Sequence, residues 1–358
     1  MYINTLSIEH LRNISHADIT LSPTLNFIHG DNGAGKSSIL EGIYLLARAR
    51  SFRNTHTRSL VQQGSKEVIL FTEVVQTNGR VNKIGLRKQG SRTDIKLNGR
   101  QLDRLSELVT NLTISLVTPQ THRIIEEGPE YRRRLLNWGV FHVEHQFRQI
   151  VSNYNRILAQ RNAALKSKQA NIQIWDEQLS HYAEEIVNQH QEYMGRWNNL
   201  VRKLSSGIPF LETMSMNYQS GWDKKYSLVE QLKNKLELDR SRGYTSVGPH
   251  RCDVHIKVDD RPAKEVLSRG QQKMLMIILM LAQSKLMTQS VGEKAIFLID
   301  DFHSELDRNS QTRVIDKLID EQCQAVITSI DSSPVTGSQR EFDAQMFHVE
   351  QGTIQKLD

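Results

Sequence analysis

Gly30-Asp31-Asn32-Gly33-Ala34-Gly35-Lys36-Ser37 fits the pattern G-x-x-x-x-G-K-[ST] and joins two segments of different periodicity. Leu25–His29 before it reads as a strand, and Ser37–Ala49 after it carries apolar residues at helical spacing. Glycines in such a loop let backbone N–H groups surround phosphate oxygens, and the positive end of the following helix points at them. The sequence therefore predicts that all eight residues of this loop bind a nucleotide. Within the loop, Lys36 would contact the β- and γ-phosphates and take part in catalysis, and Ser37 would hold Mg²⁺.

Two adjacent carboxylates follow a second apolar strand. Ala295–Ile299 shows no polar alternation and runs directly into Asp300 and Asp301. A phosphate-loop site needs an acid at a strand end to hold Mg²⁺, usually through water, and Asp300 fits this metal-binding role. Hydrolysis also needs a catalytic group that orients and polarises the attacking water, for which Asp301 is the candidate. On its own an acid pair after a strand is more typical of a turn or cap, so this interpretation depends on the phosphate loop.

A third motif, Leu267-Ser268-Arg269-Gly270-Gln271-Gln272-Lys273, precedes an apolar helix predicted over Met274–Met287. One interpretation is an ordinary helix start, in which Ser268 caps the helix and Gly270 eases its entry. The other is a second anion site, in which Ser268 and Gly270 present a hydroxyl and amides to the phosphate of a nucleotide. One triphosphate cannot readily occupy both anion sites of a single chain. This motif therefore indicates that two copies of the chain share each nucleotide.

Composition excludes several classes of protein. The 358 residues carry 46 basic and 40 acidic side chains, a formal net charge of +6 that is compatible with a polyanionic partner such as nucleic acid. Cys252 and Cys323 are the only cysteines, which argues against a zinc site or a disulfide framework. The N-terminus lacks a basic region followed by an apolar run, and the longest apolar stretch, Met274–Ala282, is far shorter than the roughly 20 residues that cross a bilayer. We therefore expect a soluble, cytoplasmic protein.

The hydrophobic pattern changes along the chain. Alternation predicts strands in the first thirty residues and again near residues 68–75, 83–88, 93–97 and 254–258. Apolar residues recur at helical spacing over 147–158 and 175–186, whereas residues 295–299 and 325–327 are continuous apolar runs that flank a helical segment over 310–321. Such runs are typical of a parallel sheet buried on both faces. We predict an α/β core formed by residues 1–128 and 241–358 (lobe I), interrupted by a mainly helical lobe at 129–240 (lobe II).

The three motifs, with Ser304-Glu305-Leu306-Asp307 after the carboxylates, resemble those of the ABC ATPases, and the chain as a whole resembles the RecF family of bacterial recombination mediators related to SMC proteins. The resemblance runs nearly end to end, through segments such as Leu11-Arg12-Asn13-Ile14, Phe52-Arg53, Thr118-Pro119-Gln120, Gly128-Pro129, Arg132-Arg133, Gln160-Arg161-Asn162 and Gly248-Pro249-His250-Arg251. It implies an ABC-type P-loop ATPase head assembled from the N- and C-terminal parts. Gln120 lies near the position of the ABC loop that reports the γ-phosphate, which implies a catalytic role, although an exposed glutamine after proline is the alternative.

Two departures from the wider ABC pattern bear on the rate of hydrolysis. The glutamate expected after the metal-binding aspartate is Asp301, a feature that RecF proteins share. No histidine follows the strand at 325–328, where ABC ATPases carry their γ-phosphate switch residue. The resemblance therefore implies slow hydrolysis.

The resemblance also implies a function. Such a protein binds ATP and Mg²⁺, dimerises on ATP, and binds duplex DNA or single-strand/duplex junctions as a weak, DNA-stimulated ATPase. It would act in recombinational repair, replication restart and SOS induction with RecR and RecO as partners, and the arginines at 132–134 would contact DNA backbones unless they are a solvated helix face. The alternative is the ATPase subunit of a membrane transporter, but those subunits place the motifs around Lys36 and Ser268 much closer together. An SMC-type structural ATPase would need far longer heptad arms than residues 130–240 supply.

Overall fold

The computed structural model describes residues 1–53, 59–102, 104–167, 171–330 and 343–357 of the chain. The chain divides into two compact units. The first unit comprises Met1–Thr121 and Arg269–Asp358, and the second unit comprises His122–Ser268. The first unit is therefore built from both ends of the chain.

The first unit contains two six-stranded sheets. Its elements are β1 (Tyr2–Leu11), β2 (Ile14–Thr20), β3 (Leu25–His29), α1 (Lys36–Arg48), β4 (Val68–Val75), β5 (Val81–Gln89), β6 (Arg92–Leu97), β7 (Arg100–Gln101), α2 (Leu105–Asn111) and β8 (Ile114–Val117). After the second unit these are followed by α10 (Arg269–Val291), β12 (Ile296–Ile299), α11 (Arg308–Asp320), β13 (Ala325–Ser329), β14 (Ala344–Glu350) and β15 (Thr353–Leu357). One sheet is antiparallel in the order β2-β1-β4-β5-β6-β7, and the other has the order β15-β14-β3-β13-β12-β8.

The second of these sheets positions the functional side chains. Its strands β14, β3, β13, β12 and β8 are parallel, and only β15 runs antiparallel. Every residue of β3, β12 and β13 is buried, and the continuous apolar runs at 295–299 and 325–327 predict this for β12 and β13, as in a sheet covered on both faces. The register places Ile327 beside both Phe27 and Ile299. The carboxyl ends of β3, β12 and β13 therefore lie side by side, and the α/β fold predicted from the sequence is confirmed.

Helix α1 packs between the two sheets of the first unit. Its apolar side chains, including Ile39, Leu40 and Ile43, belong to one hydrophobic cluster with Ile8 of β1 and Val326 of β13. Burying side chains of this size stabilises the fold by about 2 kcal/mol each. The packing fixes the start of α1, and with it the preceding loop, against the parallel sheet.

Helix α10 is the long apolar helix of the first unit. By length and composition it is the one helix among the described ranges that could cross a membrane, but 72% of its most apolar window is buried inside the protein. The run Met274–Ala282 is thus the centre of a 23-residue core helix that starts at Arg269. The helix is longer at both ends than the predicted Met274–Met287.

The second unit is mainly helical but includes a small sheet. Its elements are α3 (Arg123–Glu126), α4 (Pro129–Val143), α5 (Phe147–Lys166), α6 (Gln173–Ser205), β9 (Ser215–Gln219), α7 (Leu228–Asn234), α8 (Leu236–Arg242), β10 (Asp253–Val258), β11 (Arg261–Pro262) and α9 (Ala263–Val266). Strand β10 pairs with β9 and β11. Because of this pairing, residues 241–268 pack with the second unit, whereas the predicted division into lobes assigned them to lobe I and ended lobe II at residue 240.

A buried arginine holds the helices of the second unit together. Arg161 of α5 is fully buried, and its Nε donates to Asp176 of α6 at 2.6 Å. Its Nη1 donates to Asp239 of α8 and to the Thr245 hydroxyl, each at 2.9 Å. Both carboxylates are buried as well, and each has the guanidinium as its ion-pair partner, which offsets part of the cost of burying these charges.

Candidate functional site

Two hydroxyl side chains from separate segments converge on one carboxylate, that of Asp300, at the carboxyl edge of the parallel sheet. The hydroxyl of Ser37, in the first turn of α1, donates to Oδ1 of Asp300 at 2.8 Å. The hydroxyl of Thr328, near the end of β13, donates to the same oxygen at 2.8 Å. Thr328 also accepts the backbone N–H of Asp301 at 2.9 Å. The phosphate loop and the acid pair, separated by more than 260 residues in sequence, are therefore in direct contact.

The phosphate loop has the backbone conformation that its glycines permit. Gly30, Gly33 and Gly35 have φ values of 150°, 82° and 126°, which are rare for residues with a side chain. At Gly30 a β-carbon would also lie 2.1 Å from the carbonyl oxygen of Val349, too close for any other residue. Glycine is thus required at the point where the loop leaves β3.

Lys36 is folded back onto its own loop. Its Nζ donates to the carbonyl of Gly30 at 2.5 Å and to that of Asp31 at 2.9 Å. Partial burial lowers the pKa of Lys36, while Asp301, Asp300 and Asp31 act in the opposite direction. The ammonium therefore lies within the loop and among these carboxylates, where an anion bound by the loop would meet it.

The N-terminus of α1 is open to an anion. Among the described residues no side chain caps it, and its first turn contains no acidic residue. Its amides and its positive dipole therefore face the loop. Asn13, in the turn between β1 and β2, supports the loop from outside through bonds from its Nδ2 to the carbonyls of Gly33 (3.1 Å) and Ala34 (2.8 Å).

An open cavity of about 830 Å³ lies over these groups. Of the residues predicted from the sequence, it is lined by Asn32, Gly33, Gly35, Lys36, Ser37, Asp300 and Asp301. The cavity also exposes Arg12, whose Nε and Nη2 hold the buried carboxylate of Glu41 at 2.9 Å each. Arg12, Asn13 and Thr328 are site residues that the sequence reasoning did not assign. Only the resemblance of Leu11–Ile14 pointed to the first two.

The donor set fits a magnesium nucleotide. The Ser37 hydroxyl and the Asp300 carboxylate are the oxygen ligands that Mg²⁺ prefers, and this metal is usually held by one or two protein groups together with substrate phosphates. In keeping with this, the described part of the chain has no group of three or more His, Cys, Asp or Glu residues that could hold a metal unaided. A cavity of this size is also within the range of small-molecule sites.

The remaining predicted residues lie outside the cavity lining. Gln120 is exposed and its backbone N–H donates to the hydroxyl of Thr118 at 3.3 Å, while the neighbouring Pro119 lines the cavity. Ser268 is exposed directly before α10. Gly270 lies in the first turn of α10, where a β-carbon would come within 2.1 Å of the Glu305 carbonyl oxygen. Gly270 therefore has a packing reason to be glycine besides any phosphate contact.

The arginines at 132–134 have different environments. Arg132 forms a two-point ion pair with Asp253, at 2.8 and 2.9 Å, and Arg133 donates to the carbonyl of Cys252 at 2.8 Å. Arg134 is exposed and pairs with Glu130 one helical turn earlier. Arg132 and Arg133 thus anchor α4 to residues 252–253, and of the three only Arg134 belongs to a solvated helix face.

Comparisons with known proteins place the chain in a family. Residues 2–355 match the RecF/RecN/SMC N-terminal domain family. The DNA replication and repair protein RecF of Shewanella baltica (strain OS223) is 35% identical over 361 residues, and that of Hahella chejuensis is 37% identical over 373 residues; both alignments cover 100% of each chain. A solved structure of the recombination mediator protein RecF with ATP, from the RecFOR pathway, has a TM-score of 0.82 at 27% identity and covers 100% of this chain and 98% of its own.

A more distant structure supports the fold alone. The SMC head bound to the C-terminal winged-helix domain of ScpA has a TM-score of 0.60 at 18% identity, over 100% of this chain and 97% of its own. The site geometry, the family match and the full-length relatives agree with one another. The chain belongs to the RecF family of DNA replication and repair proteins, within the SMC-like ABC ATPases.

Proposed function

We propose that the protein is an ATP-driven DNA-binding switch that dimerises on ATP and hydrolyses it slowly. The observation that carries the proposal is the contact of Ser37 with Asp300, which unites a phosphate loop and a metal-binding carboxylate in one cavity. The ATP-bound RecF of the RecFOR pathway, similar over its whole length, supports ATP as the nucleotide.

Each group at the site has a chemical role in this proposal. The loop amides and the N-terminus of α1 bind the phosphates, and Lys36 exchanges its bonds with the loop carbonyls for the β- and γ-phosphate oxygens. Ser37 and Asp300 would hold Mg²⁺, which neutralises charge on the phosphates when bound. The Asp301 carboxylate accepts a hydrogen bond from the attacking water and takes up its proton as the water oxygen bonds to the γ-phosphorus; the bond from that phosphorus to the β–γ bridging oxygen breaks, and ADP leaves with the bridging oxygen.

Slow hydrolysis is supported by the end of β13. Residues 325–330 contain no histidine, and the last residue of the strand is Ser329. The Ser329 hydroxyl is hydrogen-bonded to Nδ1 of His303 at 2.5 Å. The strand end itself thus carries a hydroxyl where ABC ATPases carry their switch histidine, and we propose slow hydrolysis on this departure. Gln120 remains a candidate for the loop that reports the γ-phosphate.

The sharing of each nucleotide between two copies is proposed from the motif before α10. Ser268 and Gly270 of one copy would contact the γ-phosphate held by Lys36 of the other. Ser268 is exposed, and Gly270 lies in the first turn of a 23-residue helix, where backbone N–H groups lack helical partners. The positive end of this helix therefore favours an anion such as a phosphate.

The closed dimer would bind duplex DNA or single-strand/duplex junctions. The net charge of +6 supports an attraction to nucleic acid, and DNA would stimulate hydrolysis by favouring the dimer. By family we also propose RecR and RecO as partners, a cytoplasmic location, and roles in recombinational repair, replication restart and SOS induction. The transporter subunit is disfavoured because the relatives that match the full chain are replication and repair proteins.

The mass of the protein in solution tests the proposal. Sedimentation of the wild-type chain should give a monomer without nucleotide, a dimer with ATP and a larger complex when duplex DNA is added. Ser268→Arg should bind ATP with normal affinity, because Lys36 and Ser37 are intact, but should fail to dimerise and lose ATP-dependent DNA binding. A folded, ATP-bound Ser268→Arg chain that is still dimeric would refute the shared site, and a wild-type chain that stays monomeric with ATP would refute the switch.

A further inference from the structure

Lys273 is a buried cation that has no direct role in the proposed binding or hydrolysis of ATP. It lies one turn into α10 with its side chain only 1% exposed. Its Nζ donates to two backbone carbonyls of the segment after β12, those of Asp301 and Ser304, each at 2.8 Å. Burial lowers the pKa of Lys273, while Glu305, Asp301 and Asp300 oppose that shift. The first turns of α10 are thus fastened to the backbone that carries the acid pair.

The segment held by Lys273 has an unusual backbone. Asp301 has a φ of 51° and Glu305 a φ of 71°, in the left-handed region that residues with side chains rarely adopt. Such conformations persist only where the surroundings hold them. Lys273 binds the carbonyl of Asp301 itself and that of Ser304, which directly precedes Glu305, so its bonds are placed to hold both turns.

A second contact joins the same two elements. The close approach of Gly270 to the Glu305 carbonyl leaves no room for a β-carbon. The start of α10 therefore contacts this segment at Glu305, through Gly270, and at Asp301, through Lys273. A displacement of the first turns of α10 cannot leave the Asp301 backbone unchanged, because packed contacts of this kind transmit movement.

We propose that Lys273 is a positioning residue that couples the two nucleotide sites of the dimer. Lys273 fixes Asp301 to the start of α10. When Gly270 of one chain contacts the nucleotide bound by the second copy, this link orients Asp301 of the same chain toward the nucleotide bound by its own phosphate loop. This inference rests on the proposed shared site. Loss of Lys273 should impair hydrolysis in the chain that carries the substitution and leave its partner's hydrolysis intact.

The first experiment separates hydrolysis from binding. Lys273→Met keeps the length of the side chain but removes the donors; ATP affinity should stay within about twofold of wild type, kcat should fall at least tenfold, and the Hill coefficient for ATP should approach 1. Lys285→Met is the matched control on the same helix, since Lys285 is partly exposed and bonds Glu321 instead. The control should keep the wild-type kcat and Hill coefficient.

The same measurements can overturn the proposal. A folded Lys273→Met chain with the wild-type kcat and Hill coefficient would do so. If that chain does not fold, Lys273→Gln retains a donor at the same place, and its kcat should fall by a smaller factor at unchanged ATP affinity. An unchanged kcat and Hill coefficient in Lys273→Gln would then overturn the proposal.

Mixed dimers, isolated through two different affinity tags, show which copy Lys273 serves. In a dimer of one Lys36→Met chain and one Lys273→Met chain, only the Lys273→Met chain has an intact phosphate loop. The Asp301 of that chain has lost its link to Lys273, so hydrolysis should be lost. In a dimer of one wild-type chain and one Lys36→Met/Lys273→Met chain, the wild-type chain has both the intact phosphate loop and the Asp301 held by Lys273. Hydrolysis at that one site should remain. Any other pattern overturns positioning within one chain. A wild-type chain that fails to dimerise with ATP would instead refute the shared site on which the inference rests.

Discussion

Thr328→Val removes the hydroxyl that joins the Asp300 carboxylate and the Asp301 backbone N–H to β13, and leaves the rest of the side chain almost unchanged in shape. Thr328 is 1% exposed, donates to Asp300 at 2.8 Å and accepts the N–H of Asp301 at 2.9 Å. A hydrogen bond to a charged acceptor is worth about 1.5–3 kcal/mol, and a buried N–H left without an acceptor costs about 1–3 kcal/mol. Because the two effects share one hydroxyl, we expect a loss of about 3 kcal/mol in the free energy of unfolding.

The same substitution should lower activity, since Asp300 and Asp301 both lose a bond that orients them. A loss of about 1.4 kcal/mol in transition-state stabilisation lowers kcat about tenfold. Unfolding by urea and steady-state ATP hydrolysis measure the two effects, and Thr328→Ser, which keeps the hydroxyl, should recover most of both. A Thr328→Val chain within about 0.5 kcal/mol of wild type and with unchanged kcat would refute this role for the hydroxyl.

Three further substitutions test the site and the second unit. Lys36→Met should abolish tight ATP binding in an equilibrium titration, because it removes the cation that neutralises the β- and γ-phosphates; unchanged affinity would contradict the phosphate-loop assignment. Asp301→Asn should bind ATP normally, hydrolyse it more slowly in single-turnover assays and prolong the lifetime of the dimer, whereas an equal rate would exclude this carboxylate as the base. Burial lowers the pKa of His250 to about 4 in the folded chain, whereas the pKa of the same side chain in the unfolded chain is near 6.5. Between these pH values only the unfolded chain takes up the proton, so the free energy of unfolding should fall by about 3 kcal/mol from pH 6.5 to pH 4. In urea titrations across this range His250→Gln should flatten that part of the pH dependence, and an identical slope would show that another group is responsible.

The elements that could be predicted from the sequence are those with a local signal. The phosphate loop follows a buried strand and precedes an amphipathic helix, and all three lie within 25 consecutive residues, from Leu25 to Ala49. The strand before Asp300 and the strand at 325–327 were equally visible, because parallel strands buried on both faces are continuously apolar. Tertiary packing did not override these patterns, so the fold class was predicted correctly.

The groups that the sequence did not reveal depend on register between distant segments. Thr328 looks like any polar residue in a strand, and only the pairing of β13 with β12 brings its hydroxyl to Asp300. Asn13 supports the loop from a different sheet. Residues 241–268 were assigned to lobe I because the one strand recognised there, near 254–258, resembled the strands of the core. The partner of that strand, β9, is five residues long with mixed burial and carries a weak strand signal.

The order of strands has a consequence for synthesis of the protein. Strand β3, which leads into the phosphate loop, lies between β14 and β13, and its Leu25 pairs with Ala325 and Ala344. A ribosome that has translated β3 must therefore add about 300 further residues before either neighbour exists, whereas the second unit is contiguous and has all its residues by position 268. During most of translation β3, whose residues are all buried in the folded chain, has two unpaired edges, which is a condition that favours aggregation and binding by chaperones. The nascent chain should consequently acquire its phosphate loop last, so that a product truncated before β13 would lack a nucleotide site although its loop sequence is intact.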